Sequence, residues 1–381
     1  MVHQNNRADI DGQTLLARLR QLGEIGRGAD NQLTRLAASD TDKRGRDQFV
    51  SWLKDAGLEI AVDRIGNIFG SWQVESDIRP LMLGSHIDTV INAGIYDGSY
   101  GVLTRLSVVE ALRAKGTTPD RSLIVAAFTN EEGVRYAPDM MGSLVYAGGL
   151  ATEEALATIG VDGSVLREEL VRIDYLGESE PGAIVPSAFI EAHVEQGPVL
   201  ETEGKLIGAV VNLQGISWLN ITVKRFANHA GTTPIAVRAD AGLAAAKVIT
   251  CLRSYVEGSA SVATVGKLRF EPNAINVIPA KAEFTVDLRD PDETTLRAAE
   301  TALESFLNKL ETHGGVTINR ERLAQFEPVQ FDEGIVEVIE EAAKNRGLSC
   351  LRMTSGAGHD AQMMSRICPS AMVFVPSRGG I

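Results

Sequence analysis

A chain of 381 residues is longer than a single hydrophobic core usually grows, so two domains are the starting expectation. With 44% hydrophobic and 23% charged residues the composition is that of an ordinary globular protein, which excludes a fibrous or wholly disordered chain. A formal net charge of −13 gives nucleic acid or an anionic membrane surface no electrostatic purchase. The three cysteines, Cys251, Cys350 and Cys368, are scattered and lack CxxC spacing, which argues against a disulfide framework or a zinc ribbon and predicts reduced, mostly buried thiols. No apolar run approaches the roughly 18 residues needed to span a bilayer, and the opening MVHQNNRADIDG lacks the apolar stretch of a signal peptide. A cytoplasmic protein with no membrane partner is expected.

Along the chain, Phe49, Val50, Trp52 and Leu53 recur at helical spacing within residues 45–57, and 58–62 and 67–74 follow as two short strands. Residues 80–84 form an apolar strand that runs into the polar loop SHIDTV, then a glycine-rich loop and a helical segment over 102–115. Residues 121–128 are a second apolar run, ending in Thr129-Asn130-Glu131-Glu132. Strands alternating with helices, with imidazole and carboxyl groups at strand C-terminal ends, predict an open α/β sheet whose site gathers at those ends.

After a strand over 189–194 the character changes. Residues 217–224 alternate, 236–255 form a long amphipathic helix, 262–270 and 281–289 are strands, 294–312 a helix and 316–322 a strand. Residues 335–346 and 371–375 then resume the helix and strand alternation of the first part. The predicted organisation is a discontinuous α/β domain, 1–214 with 324–381, whose mixed sheet is flanked by helices. Into it is inserted an α+β domain of ββ/αα type, 215–323. There is no internal repeat and no low-complexity segment.

Histidine with carboxylate is the ligand combination suited to zinc, manganese or cobalt. Four of the six histidines, His86 (GSHIDT), His193 (EAHVEQG), His229 (NHAGTTP) and His359 (SGAGHDA), fall in polar, glycine-containing segments, while His3 and His313 read as surface residues. His86 and Asp88 alternate on extended backbone, so Asp88 is placed to fix the imidazole from behind a metal. Asp97, in GIYDGSYG, sits where flanking glycines allow a tight turn against a buried ion. Glu131 and Glu132 follow directly on an apolar strand, a costly place for two adjacent charges unless cations or protons compensate them. From the residues alone each has a plainer alternative: a turn residue for Asp97, a solvated acidic turn for Glu131 and Glu132, a turn histidine for His229, and for Arg289 a salt bridge to Asp287 or Asp290.

The motifs GSHIDT, YDGSYG, TNEEG, HVEQG, NHAGTTP, NVIPA, VDLRD and SGAGHDAQ, in this order from Gly84 to Gln362, resemble the dinuclear metallopeptidase-like amidohydrolases. Within that clan they look like the branch of N-carbamoyl-L-amino-acid hydrolases, β-ureidopropionases and allantoate amidohydrolases. HVEQG and NHAGTTP set this branch apart from the peptidases proper.

The resemblance implies two divalent metal ions, one held by His86, Asp97 and His193, the other by Asp97 and Glu132, with Glu131 as general base. It implies substrate contacts at Gln196, His229, Asn276, Arg289, Gly358 and His359, with His229 polarising the scissile carbonyl of the other subunit and Arg289 gripping a carboxylate. It makes the inserted domain a lid and dimerisation domain, hence a homodimer. A further histidine ligand belongs to a Ser-His pair directly after PSRGGI, where this sequence ends at Ile381, so the natural chain is expected to continue or else to hold its second ion weakly.

The implied reaction hydrolyses the carbamoyl C–N bond of an N-carbamoyl-L-amino acid, a small ureido acid, to amino acid, CO2 and ammonia. The alternatives are an allantoate or ureidoglycolate amidohydrolase, a peptidase or aminoacylase, and an inactive binding homologue, the last opposed by the intact His86, Asp97, Glu131 and Glu132.

Overall fold

In the computed structural model, residues 8–380 are described; His3, the first residues of the leader reading and Ile381 lie outside the described residues. The chain divides into two units, one running to Val211 and resuming at Phe331, the other spanning Asn212–Gln330.

The first unit begins with α1 (Gly12–Glu24), α2 (Asp40–Asp55), β1 (Glu59–Val62), β2 (Ile68–Trp72), β3 (Leu81–His86), α3 (Ser99–Ala114) and β4 (Leu123–Phe128). Three short helices, α4 (Met141–Tyr146), α5 (Thr152–Leu156) and α6 (Leu166–Arg172), lead to β5 (Ala188–Val194), α7 (Val199–Thr202) and β6 (Ile207–Leu213). The predicted helix over 45–57 starts five residues earlier than its apolar spacing shows. Ser39 caps it by accepting from the Asp42 N–H, and Asp40 and Asp42 complement the helix dipole in the first turn. The helix α1 escaped the periodicity reading.

The second unit contains β7 (Gly215–Lys224), β8 (Asn228–His229), α8 (Ala241–Val256), β9 (Val262–Thr264), β10 (Leu268–Glu271), β11 (Val277–Ile278) and β12 (Lys281–Asp290). It closes with α9 (Glu293–Gly314), β13 (Thr317–Phe326) and β14 (Val329–Gln330). The helix expected over 236–255 is shorter, because Asp240 is extended and caps α8 at Leu243; residues Ile235–Val237 form a separate 3-10 turn. The strand expected over 262–270 is broken into β9 and β10, each pairing with β12. In β12, Ala282, Phe284, Val286 and Leu288 are buried alternately and pack with Val248, Leu252, Leu303 and Leu307 of α8 and α9. Asp287 and Arg289 therefore face away from the helices.

Back in the first unit, α10 (Glu333–Lys344), β15 (Cys350–Ser355), α11 (Asp360–Met364) and β16 (Ser370–Val375) complete the chain. Its mixed sheet has the order β1-β2-β4-β3-β5-β16-β6, with β15 beside β6 and helices flanking it. The four central strands β4, β3, β5 and β16 run parallel. All six residues of β4 are buried, as befits a parallel strand covered on both faces. Register sets His86 beside Phe128 and His193 beside Phe374, so these strands end at one level. The chain leaves β3 to one side for β4 and returns on its other side as β5, and the crevice beyond such a reversal is where open α/β sheets bind ligands.

Cys368 is buried, but Cys251 and Cys350 are only half-buried, and all three are free thiols. Among the described residues no helix is long and apolar enough to cross a membrane.

Candidate metal centre

His86 ends β3 and His193 lies near the end of β5, with ring centroids 5.9 Å apart. Each ring has its Nδ1 within hydrogen-bond reach of a main-chain carbonyl, His86 of Asp88 at 3.0 Å and His193 of Val194 at 2.9 Å. A carbonyl only accepts, so both Nδ1 atoms carry hydrogen and both Nε2 atoms keep a lone pair. Between them lies Asp97, whose Oδ1 is 3.9 Å from Nε2 of His86 and 3.3 Å from Nε2 of His193. The N–H of Gly98 also points at Nε2 of His193, at 3.2 Å. Gly98 has φ +57°, and a Cβ there would stand 2.5 Å from the His86 ring. Only glycine lets the N-terminus of α3 bring Asp97 so close to both imidazoles.

Asp88 acts differently from the sequence expectation. Its main-chain carbonyl holds the His86 ring, while its carboxylate, 3.8 Å from Nδ1, accepts the N–H groups of Glu131 and Glu132 at 3.3 Å each. That contact orients the turn after β4. Glu131 then lies 3.4 Å from Nε2 of His86, and Glu132 accepts from the Val90 N–H at 3.1 Å.

A fully buried guanidinium ties these loops together. Arg35 donates to the carbonyls of Ile87, Leu22 and Ile25 at 2.7–2.8 Å and to the Ser99 hydroxyl at 3.4 Å. Ile87 adjoins His86 and Ser99 is two residues past Asp97, so one side chain spans the loops that carry His86 and Asp97. Burial lowers Arg35 only to about 10, and it stays charged at neutral pH.

Charge in the pocket is unbalanced. Burial, with Asp360 and Glu132 beside it, raises Glu131 far above the ordinary carboxyl range. Burial, then Asp97 and Asp88, lifts Glu132 to about 8, and burial with Asp42 lifts Asp88 to about 7. Burial pushes His86 down to about 4. For Asp97 and His193 burial opposes the charged forms but their mutual attraction prevails, holding Asp97 well below its usual range and raising His193. Neutral imidazole lone pairs facing an excess of carboxylates are a donor set that fits divalent cations. His86, Asp97 and His193 form one group whose ligand atoms converge within 4.8 Å, and His86, Glu131 and Glu132 form another.

Gln196 and the Gly358-His359 turn line the same pocket, of about 180 Å³, with His86, Asp97, Glu131, Glu132, His193 and Asp139. Gln196 donates to Asp97 Oδ2 at 2.9 Å. His359 is 2% exposed, its ring 4.5 Å from that of His193, and its Nε2 has no hydrogen-bond partner among the described residues. Burial, then the charge of His193, keeps it neutral.

Three acids here escaped the sequence reading. Glu191 precedes His193 by two residues on β5, the period that puts both on one face, and accepts from Ser85 at 2.6 Å and from the Ala361 N–H at 2.9 Å. Asp360, inside SGAGHDAQ, is raised by burial and by Glu191 and meets the Ser143 hydroxyl at 2.6 Å. Asp139 gave no local signal.

The second unit carries His229, Asn276 and Arg289. Pairing of β8 with β11 brings His229 opposite Val277 and puts the Ala230 N–H on the Asn276 carbonyl at 2.9 Å, so His229 and Asn276 are neighbours. The N–H of Gly231 donates to Nδ1 of His229 at 3.0 Å, which leaves an exposed Nε2–H donor. Arg289, on β12, is in an ion pair with Asp287 at 2.8 Å. His313 is exposed, as expected.

An α/β sheet with imidazoles and carboxylates at its parallel strand ends defines a hydrolase of the kind that works with divalent cations. The chain belongs to Peptidase family M20/M25/M40, which it matches over residues 82–381. It is similar to the N-carbamoyl-L-amino-acid amidohydrolase of Rhizobium meliloti, 37% identical over 99% of this chain and 91% of that protein. It is also similar to the allantoate amidohydrolase of Bacillus subtilis (strain 168), 33% identical over 94% of this chain and 89% of that protein. The crystal structure of an amidase of the hydantoinase/carbamoylase family from Burkholderia multivorans has a TM-score of 0.95 at 38% identity, covering 98% of this chain and 92% of that one. The protein is thus an amidohydrolase, as the motifs implied.

Proposed function

We propose that the protein hydrolyses the carbamoyl C–N bond of an N-carbamoyl-L-amino acid. The observation that carries this is the pair of imidazoles with fixed tautomers, both Nε2 lone pairs turned on Asp97 with Glu131 and Glu132 alongside. His86, Asp97 and His193 would hold one divalent ion, and Asp97 with Glu132 a second, of zinc, manganese or cobalt. Such ions, when bound, acidify water and polarise a carbonyl oxygen.

Glu131 takes the proton of the attacking water, whose oxygen bonds to the carbamoyl carbon. The same carboxyl returns the proton to the terminal nitrogen as its bond to that carbon breaks, and ammonia leaves. The remaining N-carboxy amino acid loses CO2. Burial favours a protonated Glu131, so nearby cations are what make it a base at neutral pH. His229, with its outward Nε2–H, is assigned to the scissile carbonyl, Arg289 to the substrate carboxylate, and Gln196, Asn276, Gly358 and His359 to further substrate contacts.

A second pocket of about 590 Å³ shares Asp97 and Gln196 with the first and is walled by Val90, Ile95, Tyr96, Val194 and Pro376. Its apolar walls suit an amino-acid side chain better than the second ureido group of allantoate. The inserted unit exposes Phe226, Ile235, Val237 and Ile275, which fits a role as lid and homodimer contact, and a cytoplasmic location fits the reaction.

The test is ammonia release from a panel of N-carbamoyl-L-amino acids, N-carbamoyl-β-alanine and allantoate, with added manganese or zinc. Cleavage of the N-carbamoyl-L-amino acids, abolished by a chelator, is expected. Exclusive cleavage of allantoate, or turnover indifferent to chelation, contradicts the reading.

A further inference from the structure

Among the residues lining the 180 Å³ pocket, one ionisable side chain has no part in the reaction as described: Asp139. Its place is built by the loop after β4. Asn130 donates from Nδ2 to the carbonyls of Tyr136 at 2.8 Å and Pro138 at 3.2 Å, and the Met140 N–H donates to the Glu131 carbonyl at 2.6 Å. These bonds fold the loop back on its start. Gly133, at φ +64°, lies so near Asp139 that a Cβ there would come within 2.7–2.8 Å of its backbone. The fold thus presses Asp139 against the turn that carries Glu131 and Glu132, and all three line one pocket.

Among the described residues, no lysine or arginine lines this pocket, while Asp97, Glu131, Glu132 and Asp139 all do. A substrate carboxylate beside Asp139 would meet like charge and be repelled. A ureido acid has an opposite end rich in N–H groups. A carboxylate accepts strong, charge-assisted hydrogen bonds from such donors, and its two oxygens match two N–H groups on one face of a urea. An N-acetyl amino acid keeps the inner N–H but presents a methyl group in place of the terminal amine, so it offers the carboxylate one donor where the ureido acid offers two.

Resting on the reaction proposed above, we propose that Asp139 is a specificity-determining residue that accepts the N–H groups of the carbamoyl end and so selects ureido acids over N-acyl amino acids. A site built around a substrate N–H favours the substrate that brings it, because with the analogue the acceptor of the site faces a methyl group instead of a donor. The discrimination belongs to Asp139 and not to the cations, which would polarise the carbonyl oxygen common to both substrates.

The experiment compares kcat/KM for the N-carbamoyl and N-acetyl derivatives of one L-amino acid in the wild type, Asp139→Asn and Asp139→Ala, with cation content measured in each. In Asp139→Ala the carbamoyl-to-acetyl ratio of kcat/KM should fall tenfold or more, through loss on the carbamoyl substrate, while cation content stays constant. Asp139→Asn, which keeps one acceptor oxygen, should lie between. Equal losses on both substrates, an unchanged ratio, or loss of cations from the variants would overturn the assignment. If the wild type releases ammonia from carbamoyl substrates, any of these defeats the role of Asp139 alone; a wild type that releases none defeats the proposed reaction as well.

Discussion

The two units hold their polar residues in opposite ways. In the first, His86, Asp88, His193 and His359 are each at most 2% exposed. Carbonyls one or two residues on hold Nδ1 of His86 and of His193, but Glu131 meets Nε2 of His86, Gly98 meets Nε2 of His193, and the Glu131 and Glu132 N–H groups meet Asp88 from distant parts of the chain. In the second, His229 and Asn276 are exposed, the His229 ring accepts from N–H groups two and three residues on, and Arg289 pairs with Asp287 two residues away. The first is a preorganised site, its geometry fixed before anything binds; the second offers groups on local scaffolds that a bound substrate has still to order. Substitutions in the first unit should therefore act on chemistry and cation binding, those in the second on substrate affinity.

The largest effect expected is from Glu131→Gln, which should lower kcat by about 10²- to 10⁴-fold while bound cations, counted by metal analysis, are retained. Near-normal turnover would remove Glu131 from its role. Next is Arg35→Met, which cuts the link between the His86 loop and the start of α3 and leaves the carbonyls of Leu22, Ile25 and Ile87 without their donor. It should weaken cation affinity by about tenfold or more and lower Tm, since each hydrogen bond to a charged group is worth about 1.5–3 kcal/mol. A drop in Tm with unchanged cation affinity would make Arg35 a structural residue only.

Arg289→Ala should sharpen the contrast from the other side. Its ion pair with Asp287 is partly solvated and contributes only about 0–1 kcal/mol, so Tm should hardly move. KM for ureido acids should rise by about tenfold with kcat little changed, and a fall in kcat alone would contradict a carboxylate-binding role.

The smallest effect is on pH dependence. Glu132 at about 8, Asp88 at about 7 and the raised His193 all bind protons more tightly in the folded, cation-free protein than unfolded. Their contribution to stability is complete at low pH and is lost as pH rises through the folded values. His86, lowered to about 4, acts oppositely, but only below its unfolded value near 6.5. Chelated protein should thus lose Tm between pH 6.5 and 8, and cation-loaded protein should not. A Tm that is flat after chelation would argue against this charge imbalance.

Much of the first unit was legible in the sequence because β3 and β4 are apolar runs whose polar ends stand out, and the helix over 99–114 follows from its buried Val102, Leu103, Leu106 and Val109. The sheet strands β6 and β15 were not, since their half-buried residues alternate weakly, and α1 mixes arginine and glutamine among its leucines. The candidate ligand residues stood out as ordered motifs, but how the fold holds them did not. Arg35 reaches its acceptors only through folding, Asp88 works through its carbonyl as much as its carboxylate, and Asp139 enters the pocket through a loop that doubles back. Arg289 shows the limit from the other side, for its ion pair with Asp287 was one of two readings the sequence left open.

The proposed reaction needs divalent cations seated among His86, Asp97, Glu132 and His193. Anomalous scattering from a crystal of the manganese- or zinc-loaded protein tests that most directly. A peak is expected about 2.0–2.2 Å from Nε2 of His86, Nε2 of His193 and an Asp97 oxygen, with a second peak on the Glu132 side of Asp97. A loaded, active crystal with no peak between His86 and His193 would contradict it.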